Sequence, residues 1–239
     1  MKILKSWLND WIDIETISTD DISEALESLG FEIESRTDKT PNYKNITVGK
    51  VLEIYEHPNA DKVRVTKVDV GSKTYEIVCG AWNFDVGAVV PVALPKSEIK
   101  DGFKIDKRDI RGVESNGMIC SASELDLWDD HAGILKLSDE TKLGSDFSKI
   151  YNSTDTLWEI GVTPNRGDCM SHLGIARELS NYFNLTLKEN SQSLKSNIES
   201  VIKVNSGKIK ACNSYQSIEI ENFTLGDSNL NIRYRLSSI

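Results

Sequence analysis

His57-Pro58-Asn59-Ala60-Asp61-Lys62-Val63-Arg64-Val65-Thr66-Lys67-Val68-Asp69-Val70-Gly71 is the stretch that sets the fold, because a turn and a strand are both written in it. Pro58 fixes its own φ, and Asn59 and Asp61 can bond to nearby backbone, so His57 to Asp61 reads as a turn. The run after it alternates with period two, as a strand does. Val63 and Val65 keep one phase while Val68 and Val70 keep the other, which predicts a β-bulge inside this strand. On the N-terminal side Ile46 to Tyr55 is rich in β-formers. On the C-terminal side Gly71-Ser72-Lys73 turns the chain into Thr74 to Cys79, and Ala88 to Leu94 forms a further strand between Gly87 and Pro95. Several short strands with no helical period between them predict a small closed β-barrel.

The flanks have a different period. Ser18 stands at an N-cap with Asp21 three residues on, Gly30 supplies a stop, and Ile22, Leu26 and Leu29 form one apolar stripe between them, so a helix is expected there. Leu4, Trp7, Leu8, Trp11 and Ile12 follow helical spacing before it, and Phe31 to Glu34 alternates after it. Beyond the barrel, Leu157 to Val162 reads as a strand and Thr163 to Gly167 as a loop. Asp168 then caps a helix running to about Phe183, with Leu173, Ala176, Leu179 and Phe183 facing inward. Glu189 to Ser200 has the composition of a linker, and Ile218 to Ile220 with Phe223 suggests the start of a β-rich unit.

Bulk properties narrow the function. The 239 residues include 27% charged residues and carry a formal net charge of −9. Any attraction to a phosphate backbone must then be local rather than spread over the surface. No apolar run is long enough for a membrane span, and Met1 to Asp10 lacks a signal-peptide core, so a cytoplasmic protein is expected. Cys79, Cys120, Cys169 and Cys212 are far apart in sequence and read as reduced, mostly buried thiols. Cys169 and His172 share a helical face, but no second pair of ligands completes a metal site, and a core contact is expected instead. His57, His131 and His172 are scattered. No phosphate-binding glycine loop and no nucleophile elbow occurs, so no catalytic and no metal residue is predicted within residues 1–239.

Five phrases occur in a fixed order: His57 to Lys62, Asp69-Val70-Gly71, Ile77 to Ala81, Val92 to Pro95, and Arg111-Gly112-Val113-Glu114-Ser115-Asn116-Gly117-Met118-Ile119-Cys120-Ser121. Together they resemble the OB-fold tRNA-binding domain of phenylalanyl-tRNA synthetase β chains, some methionyl-tRNA synthetases and freestanding tRNA-binding proteins. Thr163-Pro164-Asn165-Arg166-Gly167-Asp168-Cys169 with Leu173 to Leu179 is similar to the phrase that follows the insert in bacterial phenylalanyl-tRNA synthetase β subunits. That second phrase selects among the families.

The resemblance implies an α+β chain in which an OB-fold β-barrel (tRNA-binding domain), residues 40–151, is inserted into a small discontinuous α+β domain made of residues 1–39 and 152–189. A linker over 190–205 and the truncated start of a β-rich editing domain over 206–239 would follow. It implies a subunit of a class II enzyme that joins phenylalanine to tRNA(Phe) with ATP and Mg2+, as an α2β2 heterotetramer whose aminoacylation site lies in the α subunit. This fragment would itself bind no cofactor and would supply tRNA binding and scaffold. The implied tRNA contacts are Lys62, Arg64 and Lys67 on the bulged strand, and Lys104, Lys107, Arg108 and Arg111 beyond Gly102. From Lys96 to Arg111 six basic residues face four acidic ones, so an ordinary solvated surface is the competing reading. Trp82 and Phe84 could stack on bases, though aromatics beside a strand end more often join the core. A non-catalytic tRNA-binding or chaperone protein and a protein-docking module without RNA contact stay open as alternatives.

Several positions depart from the family pattern. Trp82 stands for a usual proline, Lys96-Ser97 for Gly-Ala, Asp126 for a glycine, and Cys212-Asn213-Ser214-Tyr215 for Cys-Pro-Arg-Tyr.

Overall fold

The computed structural model describes residues 1–151, 154–188, 219–223 and 225–239. β1 (Lys2–Leu4) runs into α1 (Lys5–Leu8), followed by α2 (Thr19–Ser28) and β2 (Glu32–Lys39). A block of antiparallel strands comes next: β3 (Lys44–His57), β4 (Ala60–Asp69), β5 (Thr74–Cys79), β6 (Val89–Ile99), β7 (Phe103–Lys104), β8 (Arg108–Ile110), β9 (Val113–Ser115) and β10 (Met118–Ile119). The chain ends with α3 (Phe147–Ile150), β11 (Asp155–Gly161), α4 (His172–Tyr182) and α5 (Leu230–Ser238). The expected linker at 190–205 and the Cys212 to Tyr215 phrase lie outside the described residues.

α2 is closed at both ends by the expected residues. Ser18 Oγ accepts the Asp21 N–H at 3.1 Å and donates to its carboxylate at 2.7 Å. At the other end Gly30, at φ +88°, lets the Phe31 N–H reach the Leu26 carbonyl and the Gly30 N–H that of Glu27. This is a Schellman closure, and it turns the chain directly into β2. Ile22, Ala25 and Leu26 are buried.

β11 lies between β1 and β2 in a three-stranded sheet, antiparallel to both. The first and last thirds of the chain therefore share one core, in which Ile3, Leu8, Leu26, Trp158, Ile160 and Leu179 are fully buried. The Trp158 indole N–H donates to Ser23 Oγ at 2.9 Å, so this large side chain is buried without orphaning its donor.

α4 differs from expectation at its start. Its N-cap is Ser171, whose hydroxyl accepts the Gly174 N–H, and Asp168 instead sits in a short 3-10 turn over Gly167–Cys169. The Asp168 carboxylate is already paired with Arg166, and its carbonyl packs so near Gly174 that a Cβ there would fall 2.1 Å away. Ile175, not Leu173, is buried with Ala176 and Leu179.

The larger sheet runs β10-β6-β3-β4-β5, with β7 also on β6, so it ends on β10 and β5 and the expected closed barrel is not closed by strand pairing. β10 is two residues long and cannot carry a ladder to β5. Two single bonds span the gap: Asn116 N–H to the Glu76 carbonyl at 2.8 Å and Val78 N–H to Ser115 Oγ at 3.0 Å. Gly117 permits the turn between, since at φ +144° a Cβ would lie 2.6 Å from the Ala93 carbonyl.

The predicted bulge is present on the neighbouring strand. β4 pairs with β5 without interruption from Arg64 to Asp69, whereas the β3–β4 register shifts between Val51 and Glu53, and again between Glu56 and His57 at the start of β4. Between Val65 and Val68, where the phase changes, β4 needs no bulge because both its faces are covered: Val65, Thr66 and Val68 are all buried. The β-rich beginning expected at the C-terminal end is also not seen among the described residues, where 230–238 are helical. α5 packs back on the rest, with Tyr234 edge-on to Tyr151 at 5.7 Å and Arg235 paired to Asp10 at 2.6 Å.

Candidate nucleic-acid interface

β4 divides its three basic residues. Alternation puts Lys62 and Arg64 on one face of the strand and Lys67 on the other. Lys62 is exposed at the strand's start. Arg64 is drawn inward, donating to the Ala81 and Phe84 carbonyls at 2.9 and 3.2 Å. Its guanidinium carbon rests 4.7 Å from the Trp82 ring and 4.6 Å from that of Phe84. Those contacts leave no planar fork free for phosphate. Lys67 is bonded to Glu53 at 2.7 Å, and Glu76 and Tyr55 lie beside this pair, so its local field is acidic. Burial and the bond to Glu76 push the Tyr55 phenol up to about 12.

The second group is gathered by β7, β8 and β9. Lys104 is exposed, Arg108 lies over Phe103 at 5.2 Å, and Lys107 makes a surface pair with Glu114 at 3.2 Å. An exposed pair of that kind contributes little and is readily exchanged. Arg111 and Gly112 form the two-residue connection of the β8–β9 hairpin, with φ of +51° and +90°. Both central residues are left-handed, the geometry that matches strand twist, and only Gly112 adopts it without strain.

What holds Arg111 there is the opening turn of the sequence. His57 is buried; its Nδ1 accepts the Asn59 N–H, so Nε2 carries the proton donated to the Ile110 carbonyl at 2.8 Å. Asn59 Nδ2 donates to the Arg111 carbonyl at 2.9 Å. The His57 and Arg111 phrases, more than fifty residues apart, are thus two halves of one clamp.

The two aromatics divide between the core and the surface. Phe84 is buried at 3% exposure, while Trp82 stands 62% exposed with Arg64 against its ring. It forms a wall of two depressions. One, of about 900 Å³, is lined by residues including Asn83, Lys100, Met118, Ser121 and Glu124. The other, of about 320 Å³, lies over Tyr55, Ala60 and Val63. The rim of the larger is fixed by Asn83, which bonds both the N–H and the carbonyl of Ile134 at 3.0 and 2.9 Å. Asp126, in its family-departing position, takes φ +53° and pairs with Lys100 at 2.9 Å. The i, i+2 spacing of Trp82 and Phe84 gave no signal of this split, since alternate residues of an extended segment share a face; the chain is not a strand at 82–84.

Away from this surface, Asp168, Cys169 and Glu178 bring three possible metal ligands together, but Arg166 sits at their centre. Its guanidinium is 3.1 Å from both carboxylates and 2.8 Å from Cys169 Sγ, so the positive charge there is a side chain. Burial, then the neighbouring carboxylate, pushes the Cys169 thiol up to about 11. His172 does not face Cys169. It stacks on Trp7 at 4.3 Å and accepts the Leu4 N–H, and burial followed by Arg235 lowers its pKa to about 4. Cys79, Cys120 and Cys169 are free and buried, as expected; Cys212 lies outside the described residues.

Residues 46–146 match the family described as "Putative tRNA binding domain". Over 185 residues, 74% of the chain and 23% of the relative, the sequence is 45% identical to a phenylalanine–tRNA ligase beta subunit from Burkholderia lata. It is 43% identical to that of Sulfurimonas denitrificans over 79% of the chain and 25% of the relative, and 34% identical to that of Syntrophus aciditrophicus over 100% and 30%. The chain thus spans a quarter to a third of the length of these curated relatives, and it fits an N-terminal fragment of a bacterial beta subunit. Two solved structures are also similar, a MetRS-related protein of Pyrococcus horikoshii (19% identity, 42% of this chain, 85% of that one) and the C-terminal domain of Plasmodium vivax p43 (24%, 49%, 71%), each at a TM-score of 0.32. No helix among the described residues is long and apolar enough to cross a membrane.

Proposed function

We propose that this chain is the tRNA-holding and scaffolding N-terminal part of the β subunit of a cytoplasmic phenylalanine–tRNA ligase. The observation that carries this is the reach of the likeness: it extends to 100% of the chain, well beyond residues 46–146, against a relative of that name. In this reading residues 40–151 are an OB-fold module inserted into an α+β domain built from 1–39 and 152–189, and 206–239 begin the editing domain. The pairing of β11 with both β1 and β2 supports such an insertion. The whole enzyme, a class II α2β2 assembly, would join phenylalanine to tRNA(Phe) at the expense of ATP with Mg2+. Asp168, Cys169 and Glu178, which cluster as possible metal ligands among the described residues, already hold Arg166. No chemical step is assigned to this chain.

Its own work is binding. Lys104, Lys107, Arg108 and Arg111 offer a local basic surface on an acidic protein, suited to an auxiliary phosphate contact. Lys62 belongs with them in charge and exposure, while Arg64 is drawn toward the Ala81 and Phe84 carbonyls and Lys67 sits in an acidic field with Glu53 and Glu76. Photo-crosslinking of the full chain to tRNA(Phe), read by mass spectrometry, tests the assignment. Crosslinks are expected on β7 to β9 and on Lys62. Crosslinks confined to residues 1–39 and 154–188 would contradict it.

A further inference from the structure

We propose that Trp82 is a stacking site for an unpaired nucleobase, so that this module engages a single-stranded or looped-out part of its RNA rather than a duplex. The proposal rests on the tRNA-binding reading and specifies the element bound. Trp82 is held in place rather than loosely displayed: Arg64 lies against its ring, and Arg64 is itself anchored on two backbone carbonyls and on buried Phe84. Burying a ring of this size would ordinarily be favourable, yet it is 62% exposed. A fixed aromatic face in solvent, backed by a guanidinium, is what base stacking requires, and stacking is tolerant of base identity.

The surroundings favour a base over a phosphate. Glu56 and Asp61 line the smaller depression beside Trp82, and there Arg64 gives its Nη2 to the Ala81 and Phe84 carbonyls. On the other side the larger groove carries Lys100 and His131, but these are paired with Asp126 and Asp129, and Glu124 is bonded to Ser121. Its about 900 Å³ falls in the range of small-molecule sites, roughly 300–1,000 Å³, and can follow one stacked base with its neighbour. Cations for the backbone come from Lys62, Lys104 and Arg111, the last held only by a 3.5 Å bond to the Asn59 carbonyl, and all three lie outside both depressions. A continuous helix hides the faces of its bases, so an unpaired one is the fitting partner.

The test uses the full chain, an oligoadenylate of about eight nucleotides, within the roughly 4–16 nucleotides that one such module covers, a blunt RNA duplex, and tRNA(Phe). Trp82→Phe and Trp82→Leu keep bulk but differ in having a π-face. The oligoadenylate is expected to quench the tryptophan emission that Trp82→Phe removes. Trp82→Leu should weaken its binding by about 5- to 150-fold while Trp82→Phe keeps most of it. Duplex affinity should be unchanged by either. Equal oligoadenylate affinity in all three proteins, no oligoadenylate binding at all, or an equal loss on duplex would overturn the proposal. The tRNA arm reports separately: if the unaltered chain ignores tRNA(Phe) yet binds the oligoadenylate through Trp82, the functional reading fails and the stacking site stands.

Discussion

His57 and Asn59 work through bonds that fix one tautomer and one hairpin. Replacing His57 by Ala leaves the Ile110 carbonyl unmet and loosens the turn that displays Arg111. A loss of about 1–3 kcal/mol in stability is expected, with faster amide exchange at Ile110 to Val113. Hydrogen exchange read residue by residue checks it, and unchanged protection there would show that the clamp is idle. A different histidine sets a pH response. His172 has a folded pKa of about 4, below its unfolded value of about 6.5, because burial and then Arg235 disfavour the cation, with Asp10 opposing. The unfolded chain therefore takes up the proton first as pH falls. The stability associated with a neutral ring is present above about pH 6.5 and declines from there toward pH 4. After solvent screening of a ring that is only partly buried, the decline is on the order of 1 kcal/mol. Denaturation midpoints across this range should show it, and His172→Gln should flatten it.

Elements written in local chemistry were legible, and those decided by tertiary competition were not. The Ser18 cap, the Gly30 stop and the strands β4, β5 and β11 follow from capping, turn and periodicity rules applied to a few adjacent residues. The Asp168 cap failed because Arg166, only two residues away, takes the carboxylate first. The phase change from Val65 to Val68 predicts a bulge only for a strand with one buried face, and here β4 is covered on both while the extra residue lies on β3. The exposure of Trp82 is not legible in residue type or in its spacing from Phe84, because alternation would give both rings one face and only the irregular backbone at 82–84 separates them. The clamp of His57 on Ile110 could not be read at all, since it joins phrases that only the folded sheet brings together. The central place of β11 gives a prediction at this scale. A chain ending at residue 151 keeps β3 to β10 but leaves β1 and β2 without the strand between them. Residues 1–39 should then exchange freely while residues 44–119 stay protected, and adding residues 154–188 as a separate peptide should restore protection. Full protection of residues 1–39 in the short chain would refute this dependence.

For the molecule as a whole the decisive quantity is charge. A net charge of −9 repels nucleic acid at long range, so binding has to be local, modest and salt-sensitive. The proposed contact is the basic side chains of β7 to β9, and the stacking ring would add a component that salt does not screen. The measurement that separates these is the affinity of the full chain for tRNA(Phe) as a function of salt, compared with Lys104→Ala/Lys107→Ala/Arg108→Ala. Binding that weakens linearly in log–log form, with the slope falling by about one for each cation removed, is the expected result. A chain that does not bind tRNA(Phe), or one whose salt slope is the same with and without these three side chains, would contradict it.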